Sequence, residues 1–282
     1  MRDLGGTEKH FTAEMELAND PTLRRKWSLI LVQDFGVAGL TAWILGRPDL
    51  ARQRIAEMVA TTNANNPYEV ASSRLFAAEL KWALREYDQS AALASQALEI
   101  SEKHQIPLPA ATSRCALGRV RTQLGDATEG VELLRQGTTR LFEIGARLNG
   151  FANNIWLALS QEAAGTPVEA METIDQALQQ IPREYLLVPM MLTVRGGLHM
   201  KQGQNEPAEA DFREALTLSR SMGAIMYELH ASMGLARLLD QQQRREEART
   251  LLAEIYSRFT EGFDTADLKE AKALLDELSA EP

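Results

Sequence analysis

A repeat of about 40 residues constrains the fold of this chain more than any other feature of its sequence. A small residue recurs at steps of 39, 40, 40, 38 and 40 residues. The six positions are Gly39, Ala78, Gly118, Ala158, Gly196 and Ala236. A helix stop follows each of them, at 45–46, 84–85, 124–125, 164–165, 202–203 and 242–243. A second small residue follows each stop, at Ala51, Ala91, Gly130, Ala170, Ala208 and Ala248. The pattern therefore consists of three series with the same period. Such phasing predicts a stack of similar units, each covering its neighbour's apolar face.

Each unit is predicted to contain two helices. In the fifth unit, Ala208, Phe212, Ala215 and Leu216 are spaced three and four residues apart, which places them on one helical face. Asp126 followed by Glu129 is a helix-start pattern, and Thr166-Pro-Val-Glu is another. Alternating strand patterns are nearly absent. The fold class is therefore all-α, a tetratricopeptide-repeat-like (TPR-like) superhelix or solenoid of about six helix-turn-helix repeats. The TPR period is 34, so the extra residues are expected to lengthen the helices or the turns between repeats.

The predicted boundaries follow from the phase of the repeats. Residues 1–32 form a tail with one covering helix, 33–263 form the solenoid, and 264–282 form a C-terminal capping helix. A single helix is expected from Thr265 to Leu278, with Leu268, Ala271 and Leu274 on its apolar side. Because no long linker rich in glycine, serine or proline divides the chain, we expect one continuous solenoid rather than two domains.

Composition limits the classes of function. The net charge is −9, with a pI near 5.1, so a broad basic surface for nucleic acid is not expected. Cys115 is the single cysteine, which excludes an intramolecular disulfide and suits a reducing cytoplasm. The N-terminal residues lack the basic start and apolar core of a signal peptide, and no apolar run approaches the roughly 20 residues of a membrane span. We therefore expect a cytoplasmic protein with no membrane contact.

No motif in the sequence indicates catalysis. There is no His-Glu-x-x-His, no phosphate-binding Gly-x-x-x-x-Gly-Lys and no Gly-x-Ser-x-Gly elbow. His199 and His230 are interpreted as packed histidines rather than metal ligands, since no third ligand is in sight. Cys115 is interpreted as a small structural residue. The sequence predicts a protein that is not an enzyme and has no cofactor and no metal.

The C-terminal run Tyr256-Ser-Arg-Phe-Thr-Glu-Gly-Phe-Asp-Thr resembles the TPR tail of bacterial signalling proteins that carry a class III adenylate/guanylate cyclase and a STAND-type ATPase. Similar tails occur in ATPase-linked transcription regulators, and the resemblance extends over about residues 33–278. This chain has no phosphate loop, so the nucleotide chemistry of that group does not carry over. The resemblance implies a sensing or docking surface.

The repeat register also predicts a binding groove. In TPR solenoids the first helices line the concave surface, at positions six and three before the recurring small residue and one and four after it. The candidate groove residues are Trp43, Glu79, Trp82, Arg119, Glu162, His230, Met233, Arg237 and Asp240, and the same register includes Cys115. Mixed charges and aromatic residues suit a peptide or partner protein. The alternative is a small-molecule effector that acts on a cyclase, an ATPase or a transcription regulator. We expect charge reversal at Arg119 and Arg237 to weaken partner binding without lowering the melting temperature.

Overall fold

The structure is a computed structural model that describes residues 28–280, and all regular secondary structure in that range is α-helical. The thirteen helices of the described range are α1 Ser28–Ile44, α2 Pro48–Thr61, α3 Pro67–Ala83, α4 Tyr87–Lys103, α5 Pro107–Gln123, α6 Ala127–Glu143, α7 Arg147–Ala163, α8 Pro167–Gln180, α9 Val188–Lys201, α10 Asn205–Met222, α11 Ile225–Gln241, α12 Arg245–Tyr256 and α13 Ala266–Ser279. The odd-numbered helices α1 to α11 are the first helices of six helix-turn-helix repeats, and α2 to α12 are the second helices. This confirms the predicted all-α, TPR-like solenoid class. Most of the predicted N-terminal tail, residues 1–27, lies outside the described residues.

The extra residues of the long repeat are in the helices. Five consecutive helices, α3 to α7, are each 17 residues long. Only three residues separate one helix from the next, at 84–86, 104–106, 124–126 and 144–146. The Asp126 carboxylate accepts a hydrogen bond from the Glu129 N–H at 3.0 Å and so caps α6 as its sequence pattern predicted. The Thr166 hydroxyl instead donates to the Gln161 carbonyl.

The six predicted stops share one backbone conformation. The second residue of each stop has a positive φ between 61° and 98°, in Gly46, Arg85, Gly125, Gly165, Gly203 and Gln243. This left-handed conformation ends the first helix and turns the chain into the second. Glycine adopts it without a Cβ clash, whereas Arg85 and Gln243 adopt it at a steric cost.

The recurring small residues bring the two helices of a repeat together. A Cβ on Gly118 of α5 would lie 2.7 Å from the Gly130 carbonyl oxygen and 2.8 Å from Leu134 Cγ, both on α6. A Cβ on Gly39 would lie 2.8 Å from the Ile55 side chain. Ala78, like most alanines of the two series, is fully buried. The sequence phase therefore marks the line along which paired helices touch.

The chain folds as two compact units. Of the described residues, one unit comprises 28–43 and 50–173, called here the N-terminal unit, and the other comprises 44–49 and 174–280, called the C-terminal unit. The boundary at 173/174 falls inside α8. The N-terminal unit has a core cluster made of Ala111, Cys115, Leu134, Leu141 and Leu157, against which Trp156 packs.

The C-terminal unit includes residues 44–49, which form the turn between α1 and α2. Gly46 and Pro48 of this turn lie against the Phe259-Thr-Glu-Gly-Phe run: a Cβ on Gly46 would meet Phe259 at 3.0 Å, and one on Gly262 would collide with the Pro48 ring. The Asp49 N–H donates to Glu261 at 2.9 Å. Gly262 also has a φ of +74°. The most distinctive run of the sequence is therefore a tightly packed structural turn.

The described part of the chain has no helix that is both long and apolar enough to cross a membrane.

Candidate functional site

A cation–aromatic cluster joins the first helices of three consecutive repeats. Helix α3 contributes Glu79 and Trp82, α5 contributes Arg119 and α7 contributes Trp156. Helices α3 and α5 pack against each other, as do α5 and α7, so residues about 40 positions apart in sequence meet in space. We call this set of four residues the Arg119 cluster. The sequence register predicted Glu79, Trp82 and Arg119 as groove residues, and the structure brings them together.

The Arg119 guanidinium lies against a pair of indole rings that contact each other. Its Cζ atom lies 4.7 Å from the centroid of the Trp82 ring and 5.4 Å from that of Trp156. The two rings contact each other edge to face, with centroids 4.3 Å apart and an interplanar angle of 66°. Both distances from the arginine are within the range of an attractive cation–π interaction. Both indole rings therefore stabilise the positive charge of Arg119.

The residues of the Arg119 cluster differ in their exposure to solvent. The Arg119 side chain is 7% exposed, whereas the Glu79 side chain that pairs with it is 29% exposed. Both tryptophans are half-buried. The Glu79 carboxylate contacts the Arg119 Nη2 atom as an ion pair, but no hydrogen bond is aligned on Nη2 or Nε. The cluster therefore combines a buried guanidinium with a partly exposed carboxylate and two half-buried indoles.

Trp156 was missed by the sequence register because it lies two residues before the recurring Ala158, a position not assigned to the groove. Its residue type was the available signal, since the chain has only four tryptophans. Helices α5 and α7 are also joined by a hydrogen bond of 2.6 Å between the Thr122 and Ser160 hydroxyls.

Cys115 packs within its own repeat rather than in a groove. It is 1% exposed, and a Cβ on Gly137 of α6 would collide with its sulfur. Its Sγ lies 3.9 Å from the Thr138 hydroxyl. Burial raises the pKa of the Cys115 thiol to about 12, while the Thr138 hydrogen bond and the Arg119 charge oppose the shift. A thiol with this pKa is protonated near neutrality and is a poor nucleophile.

Trp43, the predicted groove residue of the first repeat, is 6% exposed and so lies within the protein. Glu162, on α7, is half-buried.

The predicted groove residues of the sixth repeat contact the C-terminal helix. His230 Nε2 lies 3.4 Å from Asp267 Oδ2, and Arg237 forms an ion pair with Glu270, both acids being on α13. Met233 is buried at 3% exposure, and Asp240 is half-buried. Charge reversal at Arg237 would break its ion pair with Glu270 in the C-terminal unit. Charge reversal at Arg119 would break its ion pair with Glu79 in the N-terminal unit. We therefore expect both reversals to lower stability, contrary to the expectation from sequence.

The remaining predicted chemistry is accounted for by local contacts. His199 Nδ1 lies 2.5 Å from Gln204 Oε1, and His199 Nε2 lies 3.8 Å from Asp211. Within residues 28–280, no three side chains of histidine, cysteine, aspartate or glutamate are grouped as a metal site would require.

Comparison with known proteins identifies the repeat and the fold. A tetratricopeptide-repeat family model matches residues 191–222, which span α9 and α10. A comparison with curated protein sequences finds no match. Among solved structures, the chain is similar to NprR in complex with its cognate peptide NprX (TM-score 0.66, 13% identity, covering 97% of this chain and 83% of that one). It is also similar to a Rap protein complexed with Competence and Sporulation Factor (TM-score 0.62, 14% identity, covering 89% of this chain and 75% of that one). A third similar structure is a tetratricopeptide repeat protein from Parabacteroides merdae (TM-score 0.57, 15% identity, covering 98% of this chain and 93% of that one). At these identities the similarity establishes a shared TPR-like fold.

Proposed function

We propose that this chain is a non-enzymatic binding module that holds a peptide or a segment of a partner protein against the first helices α3, α5 and α7 of its N-terminal unit. The observation that carries the proposal is the Arg119 cluster. Three consecutive first helices bring together two half-buried tryptophans and a buried arginine. Tryptophan and arginine are the residue types that most often dominate the free energy of binding at protein interfaces.

The rigidity of the cluster supports the same function. The guanidinium is held by two rings and one carboxylate before any partner arrives. Groups that are already ordered lose little conformational entropy on binding, so more of the contact energy is retained. Two proteins with a similar fold, NprR and a Rap protein, were solved in complex with a peptide or factor, which is consistent with a segment-binding role.

A peptide library tests this function. The full chain is immobilised and exposed to random peptides of about eight residues, and the enriched peptides are titrated against purified variants. We expect Trp156→Ala to weaken their binding by about tenfold or more, because it removes one wall of the cluster. The control is Phe263→Ala, which truncates a half-exposed aromatic residue of the C-terminal unit and should leave binding unchanged. Circular dichroism verifies that both variants are folded.

Two results would contradict the proposal. One is the absence of any enriched peptide, and the other is equal binding by wild type and a folded Trp156→Ala variant.

A second candidate function, recognition of a small-molecule effector, is supported by a cavity in the N-terminal unit. The cavity has a volume of about 470 Å³ and lies among α2, α3 and α4. Its lining is mainly apolar and includes three cationic residues, Arg52, Arg74 and Lys81. This volume suits a small ligand. A metabolite thermal-shift screen tests it: a true ligand should raise the melting temperature of wild type and of the control Ala92→Phe, but not of Ala56→Phe, which fills the cavity.

We also propose a setting in bacterial signalling, in a reducing cytoplasm. The resemblance of residues 256–265 to the tails of cyclase and STAND ATPase proteins supports the signalling context, and the single buried cysteine suits a reducing compartment. The net charge of −9 supports a protein partner rather than nucleic acid.

A further inference from the structure

The Arg119 cluster contains buried hydrogen-bond donors that make no aligned hydrogen bond. Among the described residues, Arg119 Nε, Arg119 Nη2 and Trp82 Nε1 are inaccessible to solvent and make no hydrogen bond. Buried polar groups in native proteins are nearly always hydrogen-bonded, and each exception calls for a physical explanation. Nε and Nη2 form one edge of the guanidinium, the edge that binds the two oxygens of a carboxylate side by side.

A second arginine of this chain shows the same edge in its satisfied state. Arg195 donates from Nε to Asp211 Oδ2 at 2.8 Å and from Nη2 to Asp211 Oδ1 at 2.6 Å. Its Nη1 donates to Asp175 at 3.0 Å. Arg195 is thus completed by the chain's own carboxylates, whereas Arg119, although more deeply buried, has only a poorly aligned ion pair with Glu79.

We propose that the Nε–Nη2 edge of Arg119 and the indole N–H of Trp82 bind a carboxylate of the bound peptide segment. This inference rests on the proposed function and adds the chemical group that is recognised. A planar carboxylate provides two oxygens for the guanidinium edge and a lone pair for the indole donor. The carboxylate belongs either to an aspartate or glutamate side chain or to the C-terminus of the peptide.

Glu79 occupies the place of this carboxylate in the free protein. It neutralises Arg119 through the ion pair, and its side chain is partly exposed, so it can rotate toward solvent when the ligand arrives. Exchange of one carboxylate for another leaves the charge of the buried site unchanged, which avoids the cost of burying an unpaired charge. Glu79 therefore competes with the ligand and sets its affinity.

The test uses two libraries of random peptides, one ending in a free carboxylate and one in a carboxamide. Each is selected on the full chain. If a side-chain carboxylate is recognised, both libraries should enrich aspartate or glutamate at one position. If the C-terminus is recognised, only the free-acid library should yield binders. Replacing the identified carboxylate by its amide should weaken binding by about tenfold or more, and this measurement requires no change to the protein.

Protein variants locate the recognised group. Arg119→Lys keeps the charge but lacks the two-donor edge, and Trp82→Phe keeps a ring but lacks the N–H, so both should reduce the affinity of acidic peptides severalfold. Glu79→Gln should increase it severalfold by removing the competitor. Arg114→Lys is the control, because Arg114 lies on the same helix, is paired with Glu102 and is outside the cluster.

The failures of the two proposals are distinguishable. Peptides that are enriched, depend on Trp156 and bind equally well as acid and amide would overturn the carboxylate inference while leaving the binding module intact. A library that yields no binder would overturn both. Acidic peptides whose affinity is the same for Glu79→Gln, Arg119→Lys and wild type would also overturn the assignment of the carboxylate to this cluster.

Discussion

Replacement of Gly118 by alanine should destabilise the protein, although alanine is the better helix former. A Cβ at this position would lie 2.7 Å from the Gly130 carbonyl oxygen, 2.8 Å from Leu134 Cγ and 2.9 Å from Leu134 N. Two of these atoms belong to the α6 backbone, which has no rotamer that would move them away. Overpacking of this kind costs about 1–3 kcal/mol, and the gain in helix propensity is about 1 kcal/mol. The net expectation is a loss of up to about 2 kcal/mol, and a larger loss for Gly118→Leu.

Gly197→Ala is the matched control for this prediction. Gly197 lies in α9, and nothing within 4 Å would meet its Cβ, so the same substitution should stabilise by about 0.5–1 kcal/mol. Urea unfolding followed by circular dichroism gives both free-energy changes. Opposite signs are expected. Gly118→Ala that stabilises as much as Gly197→Ala would show that α5 and α6 are not in backbone contact at this point.

Three further predictions concern the backbone and the buried thiol. Gln243→Gly should stabilise the fold by about 0.5–1 kcal/mol, because glycine adopts the left-handed conformation of this residue without strain. Gly203→Ala should lower the free energy of unfolding by about 1 kcal/mol through the same conformation alone, since its Cβ would meet no atom within 4 Å. Urea midpoints that move in the opposite directions would refute this. Gly262→Ala should lose more than Gly203→Ala, because its Cβ also collides with the Pro48 ring, and equal melting temperatures for the two variants would contradict the packing of this turn. Cys115, whose pKa is raised to about 12, should react with iodoacetamide at pH 8 only after unfolding, with reactivity in the folded state rising only as the pH approaches 12; rapid labelling of the folded chain would show that the thiol is accessible.

The architecture follows from short-range features that are visible in the sequence. The positions of the helix stops could be predicted because a left-handed residue favours glycine, and four of the six are glycine. The close helix pairs could be predicted because only glycine or alanine allows two backbones to approach, as at Gly118 and Gly130. The predicted C-terminal helix, Thr265 to Leu278, differs by one residue at each end from the observed Ala266–Ser279. Each of these features depends on residues that are close in the chain or repeat at a fixed interval.

The candidate site was only partly predictable. Glu79, Trp82 and Arg119 were assigned from the register, but the same register included Cys115, which packs against α6, and omitted Trp156, which completes the cluster. A helix rotates by about 100° per residue, so a small error in register exchanges the residues that face a partner for those that face the paired helix.

The sequence by itself therefore determined the all-α repeat, the turns and the line of contact between paired helices, because these depend on backbone sterics and on a fixed period. Only the tertiary structure decided that Arg119 lies against two tryptophans with no aligned hydrogen bond on one edge of its guanidinium, whereas Arg195 is completed by Asp211. That difference depends on how neighbouring helices are rotated and spaced, and on which side chains from other repeats reach each arginine.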